Sequence, residues 1–137
     1  MKQNWLKEIE LPALMLGANV LMYVSNHKYI GMFIDDLSCD KADMNRQKRG
    51  IYCRGNVLVK RFRNCNPQVK TQLFKAYMSS FYCLNLWNKF TLSQYSKVKS
   101  SYNRVFRNFF NVDTMNMRKC MVDNKIKTFG ETSKVAT

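Results

Sequence analysis

The spacing of hydrophobic positions changes near residue 36. Before it, short apolar runs are separated by turn signals. Ala13-Leu14-Met15-Leu16 and Val20-Leu21-Met22-Tyr23 flank Gly17-Ala18-Asn19, where Gly and Asn can take positive φ, so a hairpin with a three-residue turn is predicted. Ser25-Asn26-His27 reads as a second turn. Lys28 to Ile34 reads as a third strand, apolar on both faces apart from Gly31, which suits a strand covered on both sides or lying against a partner. After Asp35-Asp36 the apolar residues recur at helical spacing.

Ser38 or Asp40 can cap a first helix, whose stripe is Met44, Ile51, Leu58 and Phe62 with Tyr52 and Val59 beside it. Gly50 and Gly55 lie inside it at a cost of about 1 kcal/mol each relative to Ala, and permit close approach of another backbone. Asn66-Pro67, an N-cap followed by proline at the first helical position, starts a second helix with the stripe Val69, Leu73, Tyr77, Phe81 and Leu84. Thr91 and Gln94 form a capping box for a third, along which Leu92, Tyr95, Val98, Tyr102, Val105, Phe106 and Phe109 keep helical spacing. A short fourth helix is predicted around Thr114 to Val122, and from Lys125 the chain is polar and expected to fray. Strands come first and helices after, so the fold class is α+β, mainly α: a short antiparallel hairpin or three-strand element, then three or four packed helices. The expected organisation is a strand region over residues 1–36, a basic helical domain over 37–124 and a polar tail over 125–137.

Charge sharpens this picture. The chain has 137 residues and a net charge of +14, and no acidic residue lies between Asp43 and Asp113. Fourteen of its 23 Lys and Arg fall in that interval; the other nine balance the nine Asp and Glu. Solvated helix faces ordinarily mix signs to relieve self-repulsion. A field of one sign makes sense when a polyanion supplies the other, and nucleic acid is the commonest such partner, although an anionic membrane surface offers the same charge. Most of the aromatics share this block, but their helical spacing assigns them to a core, leaving the basic side for phosphates. Arg46, Arg49, Lys60 and Arg63 of the first helix fall largely on its outer side; with Lys97, Arg104 and Arg107 of the third and Lys28 they are the candidate nucleic-acid contacts.

Other chemistry is sparse. Cysteines 39, 53, 65, 83 and 120 form no CxxC pair and His27 is the only histidine, so neither a zinc site nor a disulfide framework is expected. No cofactor is expected. The longest apolar stretch, Leu11 to Val24, is interrupted by Pro12, Gly17 and Asn19 and is shorter than the ~18 residues of a membrane span. Glu8 and Glu10 before it, and no small-residue cleavage site after it, fit a signal peptide poorly, so an intracellular location is expected. Phe33-Ile34-Asp35-Asp36 has the aromatic, aliphatic and paired carboxylates of a reverse-transcriptase active site. A helix opening follows it, however, and no aspartate precedes Asp35, as a two-metal site requires. Asp35 and Asp36 are read as a turn and as favourable charge at a helix N-terminus, not as metal ligands.

Adjacent segments carry a broader resemblance. Val24-Ser25-Asn26-His27-Lys28-Tyr29-Ile30-Gly31-Met32-Phe33-Ile34 resembles the Lys-Tyr-Leu-Gly-Val primer-grip segment of non-LTR (LINE-type) retrotransposon reverse transcriptases, with Ile30 where leucine is usual. Leu14 to Leu21 looks like the strand pair that precedes it. Arg63-Asn64-Cys65-Asn66-Pro67-Gln68-Val69-Lys70 through Tyr77 is similar to the family's thumb, Tyr82-Cys83-Leu84-Asn85-Leu86-Trp87 to the end of that thumb helix, and Tyr102 to Arg107 to the next helix. The resemblance spans roughly residues 12 to 128. It implies a primer grip and thumb, with Lys28, Tyr29 and Gly31 at the grip. These would hold RNA, DNA or an RNA–DNA hybrid through its phosphate backbone. It also implies that the catalytic carboxylates of this RNA-directed DNA polymerase family are absent, so the chain is not an enzyme on its own, and that the remaining polymerase portion is an expected partner. A stand-alone basic RNA- or DNA-binding protein and a nonfunctional translated remnant are the alternatives.

Overall fold

The computed structural model describes residues 12–35, 40–79, 81, 87 and 89–134. Asp36, Ser38, Cys39, Cys83, Leu84 and the rest of the Tyr82 to Leu86 segment lie outside the described residues. Among the described residues, two separate antiparallel hairpins precede five helices: β1 (Leu14–Leu16), β2 (Asn19–Leu21), β3 (Asn26–Tyr29), β4 (Met32–Asp35), α1 (Lys41–Phe62), α2 (Pro67–Met78), α3 (Leu92–Phe110), α4 (Thr114–Asp123) and α5 (Phe129–Lys134). The fold is α+β and mainly α, as the change of period predicts.

The hairpins differ from expectation in their turns. Leu16 pairs with Asn19, so the β1–β2 loop has two residues, and only Gly17 takes positive φ (+64°). Glycine alone at the first central position is the signature of a type II′ turn. Tyr23 donates its hydroxyl proton to the Pro12 carbonyl at 2.8 Å, tying the two ends of this hairpin. The single strand expected from Lys28 to Ile34 is instead a second hairpin. Asn26 and His27, read as a turn, belong to β3, and the chain reverses at Ile30-Gly31. Both central residues have positive φ, +45° and +80°, as a type I′ turn requires. A β-branched residue rarely enters the left-handed region, so Ile30 hides this turn from a reading by propensity.

Three long helices run up, down and up. The Asp40 amide donates to the Lys89 carbonyl at one end of the α1–α3 pair, and Arg63 and Arg104 line a common groove at the other, so α1 and α3 are parallel. Along α2, Lys70 lies over the Phe109 ring and Phe74 meets Tyr102, which makes α2 antiparallel to α3. Asn66 caps α2 by accepting the Gln68 amide at 3.0 Å, and the Thr91–Gln94 capping box closes in both directions at 3.2 and 2.9 Å. Phe74 is fully buried at the centre, edge-on to Phe106 at 5.2 Å and Tyr102 at 5.5 Å. Such pairs add about 0.5–1.5 kcal/mol each beyond their buried area.

α2 is rotated from its predicted face. Thr71, Phe74 and Met78 are buried, whereas Val69 is 47% exposed; the buried stripe lies about a third of a turn from the predicted one. The tail is also corrected. Ile126 and Phe129 are buried in the core, Phe129 packs on Phe81 and Tyr102, and the Tyr102 hydroxyl donates to the Lys127 carbonyl at 3.0 Å. Burial raises the Tyr102 phenol above its ordinary pKa, so it stays a donor. Thr128 and Glu131 form a second capping box: Thr128 N–H to Glu131 Oε2 is 2.7 Å and Glu131 N–H to Thr128 Oγ1 is 3.3 Å. The Thr-x-x-Glu spacing was a legible sign of α5, set within a polar stretch.

Gly55 permits a close helix crossing; Gly50 does not serve this purpose. A Cβ at Gly55 would lie 2.5 Å from Val105 Cγ1, whereas one at Gly50 would meet only Arg54 Nη2, at 3.7 Å. Gly55→Ala should therefore destabilise the bundle by about 1–3 kcal/mol through overpacking. Gly50→Ala should stabilise it by about 0.5–1 kcal/mol through helix propensity. Urea unfolding of the two variants checks the difference in sign, and adding Val105→Ala to Gly55→Ala should restore most of the loss.

Candidate nucleic-acid interface

The acid-free interval begins with a carboxylate that the fold consumes. Asp43, in the first turn of α1, is fully buried. Its Oδ1 accepts Arg46 Nε–H at 2.7 Å and the Phe33 amide at 3.4 Å, and its Oδ2 accepts the Trp87 indole N–H at 3.0 Å. One side chain thus joins β4, α1 and the segment leading into α3. Asp40, also buried, does not cap α1 with its side chain; its Oδ2 accepts the Lys89 amide at 2.6 Å. With both carboxylates turned inward and Asp43 paired only with Arg46 among the described residues, the exposed cations Arg49 and Lys60 of α1 have no acidic neighbour on their own helix.

Arg46, Arg49, Lys60 and Arg63 fall within an arc of about 100° on α1, and Lys97, Arg104 and Arg107 within about 80° on α3. Arg49, Lys60, Arg63, Lys97 and Arg104 are exposed, and Arg107 is half-buried. Because α1 and α3 run parallel, the two arcs meet at their C-terminal ends. There Arg63, Arg104 and Arg107 line a polar groove of about 630 Å³ with Asn108 and Asn111. Asp113 and Thr114 also line it, and Arg107 Nη1 donates to Thr114 Oγ1 at 2.6 Å. Guanidinium forks and side-chain amides pointing into one trough suit the oxygens of successive phosphates.

Arg46 and Arg49 line a second hollow with Asn26, Phe33 and Asn45, where the β3–β4 hairpin meets α1. Arg46 is tied to Asp43, so its role is largely internal; its Nη2 is buried and makes no hydrogen bond among the described residues. Lys28 and Tyr29 are exposed on β3, and Gly31 forms the turn beside them. They share neither hollow with the helix cations. Arg54, outside the predicted set, is half-buried over the Phe81 ring at 5.6 Å, and burial, then Arg46, lowers its pKa.

Asp35 lies half-buried in β4 opposite Asn26. Among the described residues no group of three His, Cys, Asp or Glu side chains could hold a metal ion. No helix among them is long and apolar enough to cross a membrane. Cys53, Cys65 and Cys120 are free thiols, and burial raises the pKa of Cys120, which makes it a poor nucleophile. Reading by residue type placed the outer cations but missed the Asp43 hub. Its one sequence signal was an isolated acid at the head of a long basic helix. No family model matches this chain, and no curated protein or solved structure matches it.

Proposed function

We propose that this chain grips nucleic acid: it holds a template–primer duplex through backbone phosphates and does not itself join nucleotides. One observation carries the reading. The exposed arcs of α1 and α3 bear cations with no acid among them and meet in the Arg63–Arg104–Arg107 groove, whose lining includes an acid, Asp113. Phosphate contacts of this kind position a duplex without reading its sequence. The order of segments supports a kinship of role with the primer grip and thumb of non-LTR reverse transcriptases, with Lys28, Tyr29 and Gly31 at the tip of β3–β4 as the grip. The β1–β2 hairpin supports a polypeptide neighbour, which under that resemblance is the remaining polymerase portion. Met15 and Leu16 are 63% and 70% exposed, and apolar residues cover both faces of a two-stranded hairpin that is marginal by itself.

The test is salt dependence. Binding to an RNA–DNA hybrid or duplex DNA should be micromolar and tolerant of sequence. Log affinity should fall linearly with log salt, with a slope of roughly −0.9 per phosphate neutralised on duplex DNA. An affinity independent of salt overturns the reading, as does binding to anionic vesicles without binding to nucleic acid. The pure protein should not extend a primed RNA template. Extension that Asp35→Asn abolishes would show a metal-dependent polymerase instead.

A further inference from the structure

A second basic cleft lies away from the groove. It opens between the C-terminal end of α2, the middle of α3 and the α4–α5 loop, and has a volume of about 480 Å³, within the range of small-molecule sites. Tyr102, on the α3 side of this cleft, lies about 140–160° around that helix from Arg104 and Arg107. Phe81, Tyr102 and Ile126 supply apolar wall, and Lys75, Lys125 and Lys127 are the charged residues that line it; among the described residues no carboxylate does.

The loop that brings two of these lysines is fixed from both ends. Lys125 N–H donates to the Val122 carbonyl at 3.0 Å, and Ile126 N–H to the Met121 carbonyl at 2.8 Å, the two bonds of a Schellman motif at the end of α4. Ile126 is buried, and the Lys127 carbonyl accepts the Tyr102 hydroxyl. In that motif the left-handed position ordinarily belongs to glycine, yet Lys125 occupies it with φ +51°. Such an outlier, held by its surroundings, motivates a functional hypothesis for the side chain.

We propose that this cleft binds the phosphate of a nucleotide, either a free nucleoside monophosphate or the 5′-phosphorylated end of a single strand. Lys75, Lys125 and Lys127 line one cleft, and a phosphomonoester, with more than one charge, can balance more than one of them where a single carboxylate cannot; Glu131, outside the lining, acts on Lys127 alone among them. The apolar wall receives the flat, uncharged part of the same molecule. The proposal does not depend on the grip reading, because the two sites share no lining residue.

The experiment is fluorescence anisotropy with labelled adenosine monophosphate and with a trinucleotide carrying either a 5′-phosphate or a 5′-hydroxyl. The phosphorylated probes should bind, and should bind at least tenfold more tightly than labelled adenosine or the 5′-hydroxyl strand. Preference for the free nucleotide or for the strand end identifies the source. Lys125→Gly gives the position the residue its backbone favours, so the fold should be kept while phosphate affinity falls at least tenfold; Lys127→Gln should act in the same direction. Neither should change the salt slope of duplex binding, and replacing Arg49, Arg63 and Arg104 should leave monophosphate binding intact. Equal affinity for phosphorylated and unphosphorylated probes overturns the proposal. So does a Lys125→Gly protein that is folded by circular dichroism and binds adenosine monophosphate as the parent does.

Discussion

Replacing Arg49, Arg63 and Arg104 together by alanine should flatten the salt dependence of duplex binding by two to three units of log–log slope. The three are exposed, and their side chains make no hydrogen bond or ion pair with another described residue. They are free to meet phosphates, and each phosphate left without its cation takes about 0.9 off the slope on duplex DNA. The counterion contribution becomes small near 1 M salt, so at about 0.1 M the loss should reach two to three orders of magnitude in affinity. Sequence preference should not change, because phosphate contacts read no base edge. Stability should change little, since exposed positions away from packed features rarely move it by more than about 0.5 kcal/mol. Anisotropy titrations from 50 to 300 mM salt check both slope and affinity. A triple variant that binds like the parent would show that these arcs are a solvated surface and nothing more. Arg46→Ala provides the contrast. Its guanidinium is paired with Asp43, so it should alter the slope by less than one unit and act mainly on stability.

Asp43→Ala should destabilise the fold by about 3–5 kcal/mol, because it leaves two interior donors and the part-buried Arg46 guanidinium without their acceptor. Three donors lose their acceptor together: Arg46 Nε, the Trp87 indole and the Phe33 amide. The loss is largest for Arg46, whose Nη2 already makes no hydrogen bond among the described residues. Denaturant unfolding followed by tryptophan fluorescence checks it, since Trp87 reports directly on this junction. Asp43→Asn should cost less, because an amide oxygen can still accept one of the N–H groups. Removing Arg46 in the Asp43→Ala background should cost little more, or recover part of the loss, and a double-mutant cycle measures that coupling. Additive costs would show that Asp43 and Arg46 do not act as a unit.

These two results concern opposite sides of α1, and the contrast shows what a sequence can hold. The change of hydrophobic period near Asp36, the Asn66-Pro67 start and the Thr91–Gln94 box were legible because each is a local code. Each is read by backbone groups within a few residues. The apolar stripes of α1 and α3, except Leu92, which is 85% exposed at the start of α3, were legible because each helix has one clearly apolar face, and that face fixes the outer arcs of arginine and lysine by difference. Hence most of the candidate interface could be found from the chain alone.

The tertiary structure decided the rest. α2 carries Val69, Leu73 and Ala76 on one side and Phe74 and Met78 on another, so its period permits more than one buried face; only the fit of Phe74 among Tyr102, Phe106, Phe109 and Phe110 selects one. The Ile30-Gly31 turn runs against local propensity and is held by the pairing of β3 with β4. Phe129 lies in a polar stretch and enters the core because Phe81, Tyr95 and Tyr102 surround it. Asp43 reads as one more charge at a helix start, and becomes a hub through a bond to Trp87, 44 residues further along. The parallel packing of α1 on α3, close because Gly55 faces Val105, brings Arg63 to Arg104 and Arg107. The sequence determined which residues were charged and which faces were apolar, because those follow from side-chain type and helical period. Which charges were buried and which met in a groove depended on neighbours distant in the chain, and only folding supplies those.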